Sequence, residues 1–460
     1  MIALLLAAQA LQPVQAVEAP QQSSLRAPLP ELSTPPAPEG PVLTLADALD
    51  EARRKSPDLV VALERVVQAR DNVQRGWATV QPTLTASGSY THNSVGALGY
   101  NSATFALQEG QKGATAGALT FAWNVFNFRA VPAILSAYDQ VDVARLTETQ
   151  QRRELLLSVA SSYYSGLALH ELATVALEQA KATRDHARDA QARYEAGLVL
   201  LTAALRARID YLRADQETQR AQYSYAASKS ELAALLDRRD TAFELAPPLQ
   251  PPEEIRGTFK ELIAKALEER PEMAAARINE EIAARLKTDA WAQFLPTLAL
   301  TASARYNDPA TALATQPNGT LASQSTTWAV AVALTLPLYD GGFRYVAMKD
   351  ADSQIRQTKA QTRGQAVHIE DELRRAQIDL ASARALRDEA DLALSVSQEN
   401  ARLVRAQFSA GTASQVEVSD AEAALFQSES NALQQRLSVQ IAALRVAKAV
   451  GAFDVTEAKK

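Results

Sequence analysis

The sequence predicts a mixed α and β chain, internally duplicated, in which long antiparallel helices carry four β-strands of the membrane-barrel type. Three observations lead there. Landmarks of the first half recur about 214 positions later. Each half holds a run of about 67 residues nearly free of Gly and Pro, enough for about 100 Å of helix. Each half also holds two segments in which the apolar period changes from helical to two.

Composition narrows the function classes. Over 460 residues, Lys plus Arg is 47 and Asp plus Glu is 53, a net charge of −6. That leaves no basic excess to grip nucleic acid, and nucleic-acid binding is not expected. Hydrophobic residues at 47% suffice for a large core, and only 17 glycines favour long helices. The absence of cysteine removes disulfides, thiolate metal sites, cysteine nucleophiles and a lipid-modified N-terminal Cys. No GxGxxG, P-loop or HExxH occurs, so no cofactor, metal or catalytic site is predicted. His92, His170, His186 and His368 are scattered and read as surface side chains.

Along the chain, Ile2 to Leu11 is a short apolar run suited to the h-region of a signal peptide. Val14-Gln15-Ala16 and Val17-Glu18-Ala19 both fit a cleavage site, and 1–19 is assigned to the signal. Seven prolines from Pro20 to Pro41 make 20–42 an extended, disordered tether. A first repeat is expected over 43–244 and a second over 258–452. A Pro-rich bridge at 245–257 joins them, and 453–460 is a tail.

The repeat rests on spaced coincidences. Pro57 answers to Pro271, Trp77 to Trp291, Pro82 to Pro296, and Tyr194-Glu195-Ala196-Gly197 to Phe408-Ser409-Ala410-Gly411. Thr44 to Gln81 reads as helix broken at Pro57, and Thr258 to Leu295 as helix broken at Pro271. A β-hairpin follows at about 82–126 and again at about 296–339. In the first, Leu84, Ala86, Gly88 and Tyr90 alternate with Thr and Ser. Gly117, Leu119, Phe121, Trp123 and Val125 share a face on the returning strand. In the second, Leu298, Leu300, Ala302 and Ala304 are followed by Trp328, Val330, Val332, Leu334, Leu336 and Leu338. Polar loops at about His92 to Ala114 and Asn307 to Ser325 separate the strands.

Strands of about ten residues, apolar on one face and small or polar on the other, suit an outer-membrane barrel. Leu119, Phe121, Val330, Val332 and Leu334 are the candidate lipid contacts. Tyr90, Trp123, Tyr306 and Trp328 are the candidates for interfacial girdles.

The long helices are expected over Ala130 to Ala196 and Phe343 to Ala410. Ile369, Leu373, Ala376, Leu380 and Ala383 step by four and three, a coiled-coil seam. Gly197 and Gly411 suit left-handed caps that turn the chain back. Return helices of about 60 Å then run over Leu198 to Asp237 and Thr412 to Val450. A return helix and a pre-strand helix can stack end to end beside each long one. Four strands cannot close a barrel, and open edges in lipid leave unpaired backbone groups, so the chain must oligomerise through its sheet edges.

From Thr44 to Ala452 the chain resembles the TolC family of outer membrane factors. The resemblance is carried by the Pro-Thr-Leu strand starts at Pro82 and Pro296, by the junction Leu336-Pro337-Leu338-Tyr339-Asp340-Gly341-Gly342, and by the paired tip turns. It implies a homotrimer with a 12-stranded barrel in the outer membrane of a Gram-negative bacterium and a helical barrel in the periplasm. The implied function is an exit duct for a tripartite efflux pump or a type I secretion system. Implied partners are a periplasmic adaptor and an inner-membrane transporter of the resistance-nodulation-division or ABC type. The tip turns Tyr194, Gly197, Leu198, Val199, Phe408, Gly411 and Thr412 then face the adaptor.

The family's closing carboxylates fall here on Glu417 and Asp420, six and nine residues after Gly411. Two readings stay open for this pair: acidic rings at a periplasmic constriction, or a solvated acidic face early in a helix. The family's basic latch residue is replaced by Ala413, and Ala203 and Arg206 stand at the first-repeat equivalents. The alternative class is a periplasmic coiled-coil scaffold or adaptor without a pore.

Overall fold

A computed structural model describes residues 29–32, 40–92, 94, 98–101, 106–109, 113–247, 255–315 and 321–452. The expected signal peptide, most of the tether, part of the bridge and the tail lie outside the described residues.

The chain enters through a two-residue strand β1 (Val42–Leu43) and two helices, α1 (Leu45–Lys55) and α2 (Pro57–Ala78). Thr44 caps α1 by accepting a hydrogen bond from the Asp47 N–H, and Pro57 opens α2 at a position where no N–H is needed. Strands β2 (Thr83–His92) and β5 (Gly113–Phe126) follow, enclosing a small hairpin of β3 (Leu98–Asn101) and β4 (Ala106–Glu109). Then come α3 (Ala130–Glu195), α4 (Leu201–Leu235) and β6 (Glu244–Leu245). The second half repeats the order with α5 (Phe259–Glu269), α6 (Pro271–Ala292), β7 (Thr297–Thr315), β8 (Leu321–Thr335), α7 (Phe343–Ser409) and α8 (Gln415–Val450).

Several expectations change. The first polar loop carries the β3–β4 hairpin, and the second is largely taken up by β7, which reaches 19 residues, and β8, which reaches 15. The return helices begin at Leu201 and Gln415, three residues later than their periodicity suggested, because the tip turns occupy those positions. Val125 does not continue the apolar row of β5. A bulge between Asn124 and Phe126 sets Phe126 opposite Leu298. The tether is not loose throughout: Leu29 and Leu32 pack against Ala187, Ala190, Ala207 and Tyr211, and the Tyr211 hydroxyl donates to the Pro30 carbonyl at 2.7 Å.

Helices α3 (66 residues) and α7 (67 residues) are the struts of the molecule. Beside the sheet-proximal part of α3 lies α2, where Ala69 and Val73 meet Ala137 and Val141. Beside its far part lies α4, where Ala187 and Ala190 meet Ala207 and Tyr211. In the same way α6 and α8 flank α7. The buried line of α3 runs Ala176, Ala180, Thr183, Ala187 and Ala190, in steps of four and three with alanine at all but one place. Such small seams bring helix axes close, and the shape is held by many weak contacts rather than by large knobs.

The two halves are fastened to each other. Arg285 of α6 pairs with Asp139 of α3 at 2.7 Å, and Arg129, the N-cap of α3, with Asp289 of α6 at 3.0 Å. The largest core surrounds Tyr163, with Leu156, Val159, Leu232, Leu236, Phe243, Leu43, Leu49 and Leu444. There β1 and β6 pair in parallel, Val42 opposite Glu244 and Leu43 opposite Leu245. The Tyr163 hydroxyl lies 2.8 Å from the Leu43 carbonyl and 2.5 Å from that of Ala246. Gly166 makes this approach possible, since a Cβ there would stand 2.7 Å from Leu245 Cδ1.

Tyr163→Phe removes the only group of that ring able to donate to these carbonyls. It is expected to lower stability by about 1 kcal/mol, measured by guanidinium unfolding in detergent; an unchanged midpoint would show that the clasp is not held by the hydroxyl.

Candidate functional site

Three surfaces of the chain combine unusual chemistry with regular placement: the sheet, the pair of helix tips and the acidic turn beside one tip.

The sheet has the order β2-β5-β7-β8 and is antiparallel throughout, so β2 and β8 each keep one edge without a strand partner among the described residues. Register fixes its faces, because directly opposed residues point the same way. One row reads Leu84, Phe121, Ala302, Val330, and the next Ala86, Leu119, Ala304, Trp328. Trp123, Leu300 and Val332 form a third row, and Leu298 faces Leu334. Toward the loops, Gly117 faces Tyr306, and Tyr90 faces Thr115. The opposite side alternates Thr85, Thr120, Ser303 and Ala329 with Ser87, Ala118, Arg305 and Thr327. The apolar side is bare, with Trp328 80% and Leu334 70% exposed. No helix among the described residues is long and apolar enough to cross a membrane.

At the helix end of this face Trp123 donates its indole N–H to the Val80 carbonyl at 2.9 Å. The junction into α7 is built by Asp340, which accepts from the Gly342 and Arg344 N–H groups and from Arg344 Nε at 2.8 Å. Gly341 and Gly342 both take left-handed φ there. Leu338 and Tyr339 are left strongly exposed beside the apolar face. Tyr339 is an exposed aromatic beside this face that strand periodicity alone did not reveal, since it stands past the last strand residue.

At the far end of the struts the two tips share one backbone design. Gly197 has φ +73° and Gly411 φ +77°. In the first, the Leu198 N–H donates to the Arg193 carbonyl and the Gly197 N–H to that of Tyr194, each at 2.9 Å. In the second, Thr412 donates to Gln407 and Gly411 to Phe408. Both are Schellman turns. Arg193 lies over the Phe408 ring, 5.4 Å from its centre, and so couples one tip to the other. The side chains past the turns differ. Leu198 and Leu200 stand more than 70% exposed, and Leu200 caps α4 with no side-chain bond. The second tip has Thr412 and Ala413, and Ser414 caps α8.

The acidic pair sits just beyond. Glu417 and Ser414 form a reciprocal capping box: Glu417 accepts from the Ser414 N–H at 2.6 Å, and Ser414 Oγ accepts from the Glu417 N–H at 3.3 Å. These bonds, the backbone one foremost, hold the Glu417 carboxyl below its ordinary range. Asp420 is engaged by Arg206 of α4 at 3.5 Å. Next to it, Ser419 donates to Asp210 at 2.6 Å. One turn further in, Glu422 is buried and binds His186 and Arg405, so His186 is not the surface side chain it resembled in the sequence.

An antiparallel membrane-type sheet on paired 100 Å-class helices defines an outer-membrane channel with a long periplasmic extension. Comparison places it further. A model of the family described as outer membrane efflux protein matches residues 48–238 and again 262–452, and the chain belongs to that family. Outer membrane protein TolC of Escherichia coli (strain K12) is 22% identical over 427 residues, covering 88% of this chain and 80% of that protein. The outer membrane protein VceC of Vibrio cholerae superposes with a TM-score of 0.67 at 22% identity, over 88% of this chain and 96% of that one. The outer membrane channel CmeC of Campylobacter jejuni gives 0.72 at 15% identity, over 89% and 85%. The family is one of channels, not of enzymes. The protein is an outer-membrane exit duct of the efflux type, with its helices projecting into the periplasm.

A Cβ at Gly197 or Gly411 would meet nothing within 4 Å. Alanine at either site therefore carries only the left-handed backbone penalty, about 1–2 kcal/mol. Ser414→Ala removes a cap and costs about 1 kcal/mol, whereas Leu200→Ala removes none. Hydrogen exchange in the first turns of α4 and α8 measures the difference; equal effects of the Ser414 and Leu200 changes would contradict the capping assignment.

Proposed function

We propose that three copies of this chain pair edge to edge, β8 of one against β2 of the next, to form a 12-stranded barrel that continues into a helical tunnel. The observation that carries this is the four-stranded sheet, bare and apolar on one side and, among the described residues, unpaired at both edges. The flanks of the helical layer agree with it. Val60, Val61, Leu63 and Val67 are exposed on α2 at one side, as are Val367, Ile378 and Val396 on α7 at the other. Each protomer comprises repeats 43–244 and 258–452 bridged by 245–257, after removal of a signal peptide at 1–19.

In this arrangement Leu119, Phe121, Val330, Val332 and Leu334 face lipid, and Tyr90, Trp123, Tyr306 and Trp328 lie toward its two boundaries, joined by Tyr339. The alanine, serine and threonine side lines the water-filled lumen. The tip turns, with Tyr194, Gly197, Leu198, Val199, Phe408, Gly411 and Thr412, receive the helical hairpins of a periplasmic adaptor. An inner-membrane transporter of the resistance-nodulation-division or ABC type supplies the energy, and the duct itself carries out no chemistry. Its cargo is the small molecules of an efflux pump or the exported protein of a type I secretion system.

Glu417 and Asp420 ring the narrow periplasmic end. Asp420 is the stronger member, because its side chain is 70% exposed and held only loosely by Arg206 at 3.5 Å, whereas the carboxylate of Glu417 is fixed in the cap of α8. Single-channel recording tests the pair. Asp420→Ala is expected to raise conductance and weaken cation selectivity more than Glu417→Gln does. If the double variant Glu417→Ala with Asp420→Ala conducts and selects as the unaltered protein does, the constriction lies elsewhere.

The sheet has its own test in neighbouring residues of one strand. Val330→Arg places a charge toward hydrocarbon and costs about 2–4 kcal/mol near the midplane, whereas Ala331→Arg points into water. Trimer yield in the outer-membrane fraction is expected to fall for the first and hold for the second. Equal yields, or a soluble periplasmic monomer for the unaltered chain, would reverse the lipid assignment.

A further inference from the structure

One carboxylate near the tips joins three helices. Glu422 of α8 has a side chain only 3% exposed. Its Oε1 atom lies 2.9 Å from His186 Nε2 of α3 and 3.2 Å from Arg405 Nε of α7. The two partners are not equivalent. Arg405 belongs to the same helical hairpin as Glu422, so that pair holds the hairpin α7–α8 to itself. His186 belongs to the other hairpin, α3–α4, so its bond is the one that ties the hairpins together.

Other ties between hairpins at this end include the Ser419 to Asp210 hydrogen bond, the Arg206 to Asp420 pair and Arg193 over Phe408. Of the side-chain types that make these ties, histidine is the one whose ordinary charge change falls between about pH 5 and 8.

We propose that His186 is a positioning residue that holds the start of α8, and with it the turn bearing Glu417 and Asp420, against α3, and that this hold slackens as the periplasm becomes more alkaline. The proposal rests on the constriction reading given above. A protonated imidazole binds a carboxylate with a charge-assisted bond, roughly twice as strong as a neutral one. Loss of the proton leaves Glu422 paired with Arg405, so the carboxylate is not stranded and the protein need not unfold. What weakens is the link between hairpins.

The surroundings set the direction. The bond to Glu422 raises the His186 pKa above its ordinary value; burial and Arg405 of α7 oppose this, and Asp189 on α3 adds to it. Burial pushes the Glu422 carboxyl up, but His186 and Arg405 outweigh it and leave it below the carboxylate range. Glu429 of α8 also senses Arg405, although burial leaves its own carboxyl raised. A histidine raised in the folded state contributes fully below about 6.5 and loses its contribution as pH climbs through the raised value. The tie is therefore tight in mild acid and loose in mild alkali.

The chain has no cysteine, so Leu198→Cys with Thr412→Cys gives a unique pair of spin-label sites across the tips. With one labelled protomer per assembly, the distance between labels is expected to lengthen as pH rises from about 5.5 to 8.5, across the histidine range. His186→Gln keeps a donor near the Nε2 position but no charge. It should show the long distance at every pH, and His186→Lys the short one. Persistence of the full pH response in His186→Gln would overturn the proposal. Channel recordings over the same range separate this outcome from the constriction reading: conductance rising with pH in the unaltered protein and flat in His186→Gln supports both. A tip distance that responds to pH while conductance does not overturns the link from His186 to the acidic turn.

Discussion

A β-strand in hydrocarbon can send its amide and carbonyl groups only to another strand. Much of this molecule answers to that constraint. The chain supplies four strands to this sheet, and among the described residues both outer ones keep an unpaired edge. The duplication is the geometrical reply: two hairpins in each chain, each strand pair leading directly into a helix of 66 or 67 residues. Helices satisfy their own backbones, so below the sheet the constraint disappears and packing takes over.

That packing uses little bulk. Past Gly166 the buried residues of α3 are four alanines and Thr183, and the α7 seam changes from Ile369 and Leu373 to Ala376, Ala383, Ala390 and Ala401 toward its tip. Large side chains concentrate around Tyr163, where β1, β6 and five helices meet. The core is thus bulkiest around Tyr163, and its side chains become smaller toward the tips. Near the tips the two hairpins are joined by hydrogen bonds, ion pairs and a cation–π contact, kinds of contact that can be rearranged without opening a hydrophobic core.

Much of this was legible in the sequence because it is periodic. The 214-residue offset, the glycines at 197 and 411, and the alternation of Leu84 through Tyr90 are local or repeated signals. The β5 bulge at Val125 was not legible, since it depends on how β7 is registered across the sheet. Nor was the β3–β4 hairpin, whose short strands are interleaved with loop-forming residues. His186 and Glu422 are 236 positions apart, and histidine spacing along one helix could not connect them. A signal existed on α8, where Glu422 falls four residues after buried Val418 and so sits in the apolar stripe. A charge in that place requires a partner. The motif Ser414-x-x-Glu417 likewise announced a capping box before any gate.

The pairing of β5 with β7 has a consequence for how the chain is made. These neighbours in the sheet are some 170 residues apart in the chain, with four helices and the bridge between them. Closing a loop of that length costs about 4.5 kcal/mol by the logarithmic chain-length law, whereas each helical hairpin forms from contacts close in sequence. Contact order thus favours the helical hairpins ahead of the β5–β7 pairing, and with it a late assembly of the full apolar side. A chain that crosses an aqueous compartment on its way to a lipid bilayer thus delays its most aggregation-prone surface until near its destination.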